Sequence, residues 1–275
     1  MRSALQQAVL RACELDVQAL KPGNVSLAAP GHGMSAADFL ASAKAIAEPI
    51  TAPGISLGER IYVAIEATQR VVSCNTNLGI VLLLAPLIQA TESAREEPLQ
   101  ARTTKILDRL TVTDADWAYR AIRLAKPGGM GEGVNHDVAK PVQITLLQAM
   151  QEAADRDQIA RLYSTGFRDL FQRKVDVWRN AMDRWKSPAS AATAVFLETL
   201  AREPDSLIAR KFGIEMAKQV SEDAKSAWQS FGTDKDSHEE LWAWDADLKA
   251  RKINPGTTAD ITVATSFLAD LQDMR

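Results

Sequence analysis

Apolar and polar positions recur at helical spacing along nearly the whole chain, and no alternating run is long enough to build a sheet. Leu5, Val9, Ala12, Leu15 and Ala19 set the period over residues 3–20, and Lys21-Pro22-Gly23 stops it. Ser35-Ala36-Ala37-Asp38 reads as a capping box opening a second helix, with Phe39, Ala43, Ile46 and Ile50 on its buried face. After Pro53-Gly54, the positions Leu57, Ile61, Ile65 and Thr68 predict a helix towards Val72. Residues 78–90 are apolar on most sides, which predicts a helix in the centre of the domain. The polar residues at its start, Asn75, Thr76 and Asn77, are then carried inward.

Residues 92–102 are charged and read as exposed. Ala118, Ile122 and Ala125 give the next helix its apolar face, and Pro141 fits the first turn of a helix reaching Ala154. Tyr163, Phe167 and Phe171 belong to a helix ending near Trp185. Ser187-Pro188 supplies a cap with proline at the first helical position, and further helices follow over residues 214–228 and 241–252. In the last junction, Pro255-Gly256 is a turn, Thr257 sits as an N-cap, and Asp260 occupies the reciprocal capping position of a helix over residues 258–271. The pattern predicts an all-α fold of roughly ten helices, with residues 1–275 forming one domain.

Composition narrows the function classes. A net charge of −3 gives no electrostatic basis for nucleic acid or an anionic membrane. Two cysteines, Cys13 and Cys74, make neither a disulfide framework nor a zinc site and fit a reducing compartment. The most apolar run, residues 78–88, is too short to span a bilayer and contains Pro86. Polar residues break any signal-peptide core near the N-terminus, so the expectation is a soluble cytoplasmic protein. The glycine-rich stretch 126–133 lacks the spacing and flanking strand of a dinucleotide or Walker loop.

The candidate chemistry sits at helix junctions: residues 21–26, 31–34, 75–79, 205–213 and 254–260. These stretches hold carboxylates, amides, cations and a histidine. If the helix ends meet at one pole they supply the oxygen ligands, cations and helix N-termini that a Mg²⁺-triphosphate wants. Each residue also has a plainer use. Lys21 suits a helix C-terminus, Asn75 and Asn77 suit caps, His32 a surface loop, Arg210 and Lys211 a solvated face, and Asp260 a capping box.

Taken in order, these junctions resemble the triphosphoribosyl-dephospho-CoA synthases. Glu14 followed by Lys21-Pro22-Gly23-Asn24-Val25 is similar to the family's glutamate and K-P-G element. Gly31-His32-Gly33-Met34 resembles its G-A-H-x-D-M, without the aspartate. Ala67-Thr68 through Asn75-Thr76-Asn77-Leu78-Gly79 resembles A-T-x-G-V-N-T-H-K-G, with Asn77-Leu78 in place of His-Lys. Residues 205–213 resemble D-T-x-(I/V)-x-x-R-x-G, and residues 253–261 the closing N-P-G-x-(S/T)-A-D element. The resemblance implies transfer of the 5-triphosphoribosyl group of ATP to a hydroxyl of dephospho-CoA or a related coenzyme precursor, with release of adenine. It implies ATP as substrate, Mg²⁺ at Asp205 and Asp260, and Glu14, Asp205 and Asp260 as catalytic carboxylates. Lys21, His32, Arg210 and Lys211 would contact phosphates, and Asn24, Asn75 and Asn77 the rest of the nucleotide. The departures leave two further readings: the same chemistry on another coenzyme-like acceptor, or a helical nucleotide-binding regulator without turnover.

Overall fold

The apolar run decides the centre of the fold. In the computed structural model, which describes residues 2–93, 96–128, 142–232 and 237–274, it forms α4 (Leu78–Glu92), buried on almost every side. Pro86 inside this helix has no N–H to give the carbonyl of Leu82, four residues earlier. The Tyr163 hydroxyl donates to that carbonyl instead, at 2.6 Å. The C-terminal end is closed by Arg102, which donates to the carbonyls of Ala90 at 2.8 Å and Ser93 at 3.2 Å. Arg60, fully buried, joins Glu92 to the carbonyl of Ile50, both at 2.6 Å.

Around α4 lie α1 (Arg2–Gln18), α2 (Ala36–Ala47), a 3₁₀ turn (Pro49–Thr51) and α3 (Leu57–Gln69). Then come α5 (Leu99–Asp108), α6 (Val112–Ala125), α7 (Leu146–Ala153) and α8 (Gln158–Ser164). A π-helical stretch (Leu170–Lys174) leads into α9 (Val175–Trp185), followed by α10 (Pro188–Arg202), α11 (Ser206–Phe212), α12 (Ile214–Ser230), α13 (Ser237–Ala250) and α14 (Gly256–Asp273). No strand occurs among the described residues, so the class is all-α. One apolar cluster gathers α1–α8 about α4, and a second gathers α9, α10 and α12. Residues of α1 and α14 belong to both clusters and join them.

Local sequence chemistry holds where it was sharp. Ser35 and Asp38 form the expected capping box, with Asp38 accepting from the Ser35 amide at 2.7 Å. Ser187 caps α10, and Pro188 is its first residue. The count differs: fourteen α-helices are described rather than roughly ten. The charged segment 92–102 runs into α5, whose buried face includes Arg102 and Thr103, polar residues that hide the period. The helix expected through Tyr163, Phe167 and Phe171 is broken just after α8, where Gly166 and Phe167 turn to φ 61° and 58°. The junction 205–213 contains its own short helix, α11. The expectations at Pro141 and over residues 129–133 fall outside the described residues, and α7 opens instead on the Thr145–Gln148 capping box.

Replacing Tyr163 by Phe removes one hydroxyl and leaves the Leu82 carbonyl buried without a partner. The expected cost is about 1–2 kcal/mol, read as a lower midpoint in chemical denaturation with an unchanged slope. An unchanged midpoint would mean the carbonyl finds another donor.

Candidate active site

A cavity of about 1100 Å³ opens where α4, α6, α8, α11 and α14 end or begin and the loop after α1 folds over them. Asn24, His32, Asn75, Asn77, Arg210, Lys211 and Asp260 all line it. Lys21 and Asp205 lie just behind its wall, and Glu14 lines a separate, smaller cavity between α1, α9 and α14. On α1 the residue facing the main cavity is Asp16, two positions on.

Asp205 is wholly buried, and its carboxylate is saturated. One oxygen accepts from the amides of Leu207 (2.8 Å) and Ile208 (3.0 Å), capping α11. The other accepts from the amide and hydroxyl of Thr258, both at 2.8 Å, capping α14 from across the fold. Burial raises its pKa, and the four hydrogen bonds pull against that rise. This corrects two expectations. Asp205 is a double helix cap with no free face for a metal ion. The start of α14 is not a Thr257–Asp260 capping box, because the helix begins at Gly256 and Thr257 instead accepts from the Ser206 hydroxyl at 3.0 Å.

Lys21 is buried in an ion pair with Asp16 and also donates to Asn24 Oδ1 at 2.8 Å. Asn24 passes the connection on, its Nδ2 donating to Asn254 Oδ1 at 2.9 Å. Lys21 therefore neutralises and aims the wall residues Asp16 and Asn24 rather than reaching a ligand. His32 Nε2 donates to the carbonyl of Gly23 at 2.7 Å. Burial, then the nearby Lys211 and Lys249, press its pKa below the ordinary imidazole value, against the pull of the Gly23 carbonyl. Gly23 must stay a glycine: at φ 83°, a methyl there would lie 2.9 Å from the carbonyl oxygen of Ile253. Asn75 Oδ1 accepts the Leu78 amide at 3.1 Å and so caps α4, while Asn77 turns its side chain to Thr68.

Asp260 is the exception among the carboxylates. It faces the cavity, and among the described residues no hydrogen bond or ion pair holds its side chain. Its carboxyl rests on the first turn of α4, where a methyl on Gly79 would lie 2.0 Å from Oδ2. Burial raises its pKa well above the usual carboxylate range, Asp16 adds to the rise, and Lys21 opposes it.

The cavity's charged groups stand mostly at its rim, where Glu152, Asp155, Asp157 and Glu203 accompany the cations. Its cations, Lys126, Arg156, Arg161, Arg210 and Lys211, are all exposed at the rim. Arg161 pairs with Glu203 at 2.9 Å and Arg210 with Asp157 at 3.3 Å, while the side chains of Lys126 and Lys211 have no hydrogen-bond partner among the described residues. The floor holds buried neutral groups, namely Asn24, Thr76, Asn77, Gln158, Ser206 and Thr257, together with Asp16 and Asp260. Among the described residues no group of three or more His, Cys, Asp or Glu side chains could hold a metal ion. No described helix is long and apolar enough to cross a membrane. Sequence reasoning missed Asp16 and Gln158. Asp16 had a signal in its position just ahead of Lys21, whereas Gln158 had none beyond following the α8 cap Asp157.

Residues 2–275 match the family profile described as CitG, ATP:dephospho-CoA triphosphoribosyl transferase. The fold is similar to the crystal structure of an Archaeoglobus fulgidus protein described as a triphosphoribosyl-dephospho-CoA synthase. The TM-score is 0.64 at 25% identity, over 85% of this chain and 96% of that one. No curated protein matches the chain.

Asp205→Asn places an amide N–H₂ against the Thr258 donors and is expected to lower stability by about 2 kcal/mol in a denaturant titration. Gly79→Ala should leave the fold intact, since alanine favours a helix, but it displaces the Asp260 carboxyl. Adenine release from ATP is expected to fall about tenfold or more in this variant. A fully active Gly79→Ala protein would detach Asp260 from the chemistry.

Proposed function

The chain belongs to the CitG family of ATP:dephospho-CoA triphosphoribosyl transferases, and from that premise we propose that Asp260 is the proton donor to the departing adenine. The protein is a transferase that moves the 5-triphosphoribosyl group of ATP to a hydroxyl of dephospho-CoA and releases adenine. The C1′–N9 bond of ATP breaks, and the base leaves with the bonding pair and gains a proton. The acceptor oxygen bonds to C1′ and gives up its own proton, so the count balances. Adenine is a poor leaving group without that proton, and C1′ passes through an oxocarbenium-like state that carboxylates stabilise.

The observation that carries this reading is the state of Asp260: inside the cavity, unpartnered, with burial and Asp16 both favouring its protonated form. A carboxyl whose surroundings raise its pKa is what general acid catalysis at a glycosidic bond requires. Asp16, ion-paired with Lys21, is the buried carboxylate that lines the cavity with Asp260. We assign it the electrostatic role towards C1′. The acid–base role expected of Glu14 passes to Asp260, because Glu14 faces the other cavity. Arg210 and Lys211, with Lys126, Arg156 and Arg161, are the phosphate contacts of this reading, and Asn24, Asn75 and Asn77 are the wall residues it sets towards the ribose and base, an assignment supported by their place in the cavity lining.

Mg²⁺ fits this cavity as an ion brought in on the triphosphate, not as one held in a protein cage. Asp205 has no free lone pair to offer, and Asp260 is kept protonated in this reading. Mg²⁺ commonly keeps its waters and binds through substrate phosphates with one or two carboxylates. Bound there, it would neutralise phosphate charge. We also read residues 2–275 as one working unit, since α1 and α14 contribute to both apolar clusters.

Asp260→Asn is expected to slow adenine release with saturating dephospho-CoA on the order of 100-fold. The wild-type rate should fall as pH rises through the raised pKa of Asp260, and the variant should lose that limb. Wild-type activity retained in Asp260→Asn would remove the assignment. Stability should move the other way. A raised folded-state pKa means stability is lost as pH rises from the unfolded value, about 3.9, to the folded one. Asp260→Asn should therefore match the wild-type melting temperature near pH 4 and exceed it by about 2 °C or more near pH 8.

A further inference from the structure

Gln158, the first residue of α8, is buried and lines the cavity. Its Oε1 accepts the Ser206 amide at 3.0 Å. A backbone N–H can only donate, so this bond fixes which end of the side-chain amide is oxygen. Nε2, with its two N–H groups, is buried and has no partner among the described residues. Unsatisfied buried donors are rare and unfavourable, and one in a cavity wall marks the place of a missing acceptor.

The surroundings say what that acceptor is. Ser206 Oγ donates to Thr257 Oγ1 at 3.0 Å, and Thr257 lies one helical turn before Asp260 on α14. Ile159, the neighbour of Gln158, meets the same point above Gly79 that the Asp260 carboxyl meets. Gln158 is thus one layer of side chains from Asp260, on the floor with Asp16 and next to Asp157. The cations near it are already committed, Lys21 to Asp16 and Arg210 to Asp157, whereas the side chains of Lys126 and Lys211 at the exposed rim are free to meet phosphates. The apolar lining from these same elements, Leu78, Leu82, Ile159, Leu207 and Ala259, suits the face of a flat heterocycle.

We propose that Gln158 is a positioning residue for the leaving base, its Nε2 donating to a purine ring nitrogen beside the glycosidic bond, N3 or N7. The proposal rests on the reading of this cavity as the triphosphoribosyl transfer site. A donor at that nitrogen orients adenine for Asp260 and favours the charge that grows on the ring as the bond to C1′ breaks. It also selects a purine that carries the nitrogen over one that lacks it.

The test compares wild type with Gln158→Glu, which keeps the acceptor for Ser206 and replaces the donor with an acceptor. Each protein is given ATP, 3-deaza-ATP, 7-deaza-ATP, 2′-deoxy-ATP and 3′-deoxy-ATP. Base release is followed with dephospho-CoA, and nucleotide binding is measured separately by calorimetry. With ATP the variant should lose about tenfold. One deaza nucleotide should cost the wild type a similar factor and cost the variant nothing further, a coupling that a merely structural role does not produce. Equal deaza effects in both proteins, or coupling that falls on a deoxy nucleotide instead, would overturn the assignment to the base. Should Gln158→Glu fail to fold, wild type alone decides against the proposal if it handles both deaza nucleotides as it handles ATP. No base release by wild type from ATP would sink the transfer reading, while the binding measurements would still judge Gln158.

Discussion

The buried carboxylate of Asp205 is the constraint on which the site depends. The helices α11 and α14 begin at the same place, and each brings free amides and a positive dipole end. Two such ends repel each other unless an anion lies between them, and Asp205 provides one with an acceptor for every donor it meets. Its grip on Thr258 fixes the first turn of α14, and Thr257 and Asp260 go where that turn goes. The clamp on Leu207 and Ile208 does the same for Ser206, which ties Gln158 to Thr257. One side chain thereby sets the floor of the cavity without touching its contents.

The carboxylates of this protein divide by what surrounds them. Asp205 has four donors, Asp16 has Lys21, and Asp260 has neither. A fold that served only stability gains nothing from leaving a half-buried carboxyl unpartnered, because partial desolvation disfavours its ionised form and no donor offsets that. That arrangement suits proton transfer to a leaving base. The cations follow the opposite rule and stay at the exposed rim, where a triphosphate can be met without being drawn to the depth at which the glycosidic bond must break.

The central helix contributes through what it lacks. At its start, Gly79 has no side chain, and the Asp260 carboxyl occupies the space. At Pro86 it lacks an N–H, and Tyr163 from α8 supplies the missing donor. Both gaps are filled from segments distant in sequence, so α4 locks the elements around it as well as supplying apolar surface.

What the chain determined locally was legible in the sequence. The all-helical class, the burial of residues 78–90, the Ser35–Asp38 box and the Ser187-Pro188 start all rest on spacing within a turn or two, and the structure has each of them. The junction motifs pointed to the family, and most of their residues reach one cavity. Tertiary structure alone decided the part each carboxylate plays. Glu14 and Asp16 are two residues apart and so project from nearly opposite sides of α1, and only packing says which side meets the cavity. Asp205 and Asp260 carry the same chemical group near a helix start. One is saturated by Thr258, 53 residues away in sequence, and the other by nothing. Gln158 belongs to no motif, and its free amide is defined by a bond to Ser206 across 48 residues. A carboxyl or an amide takes its role from the donors, charges and solvent that reach it, and those are set by chain segments that spacing within a few residues does not describe.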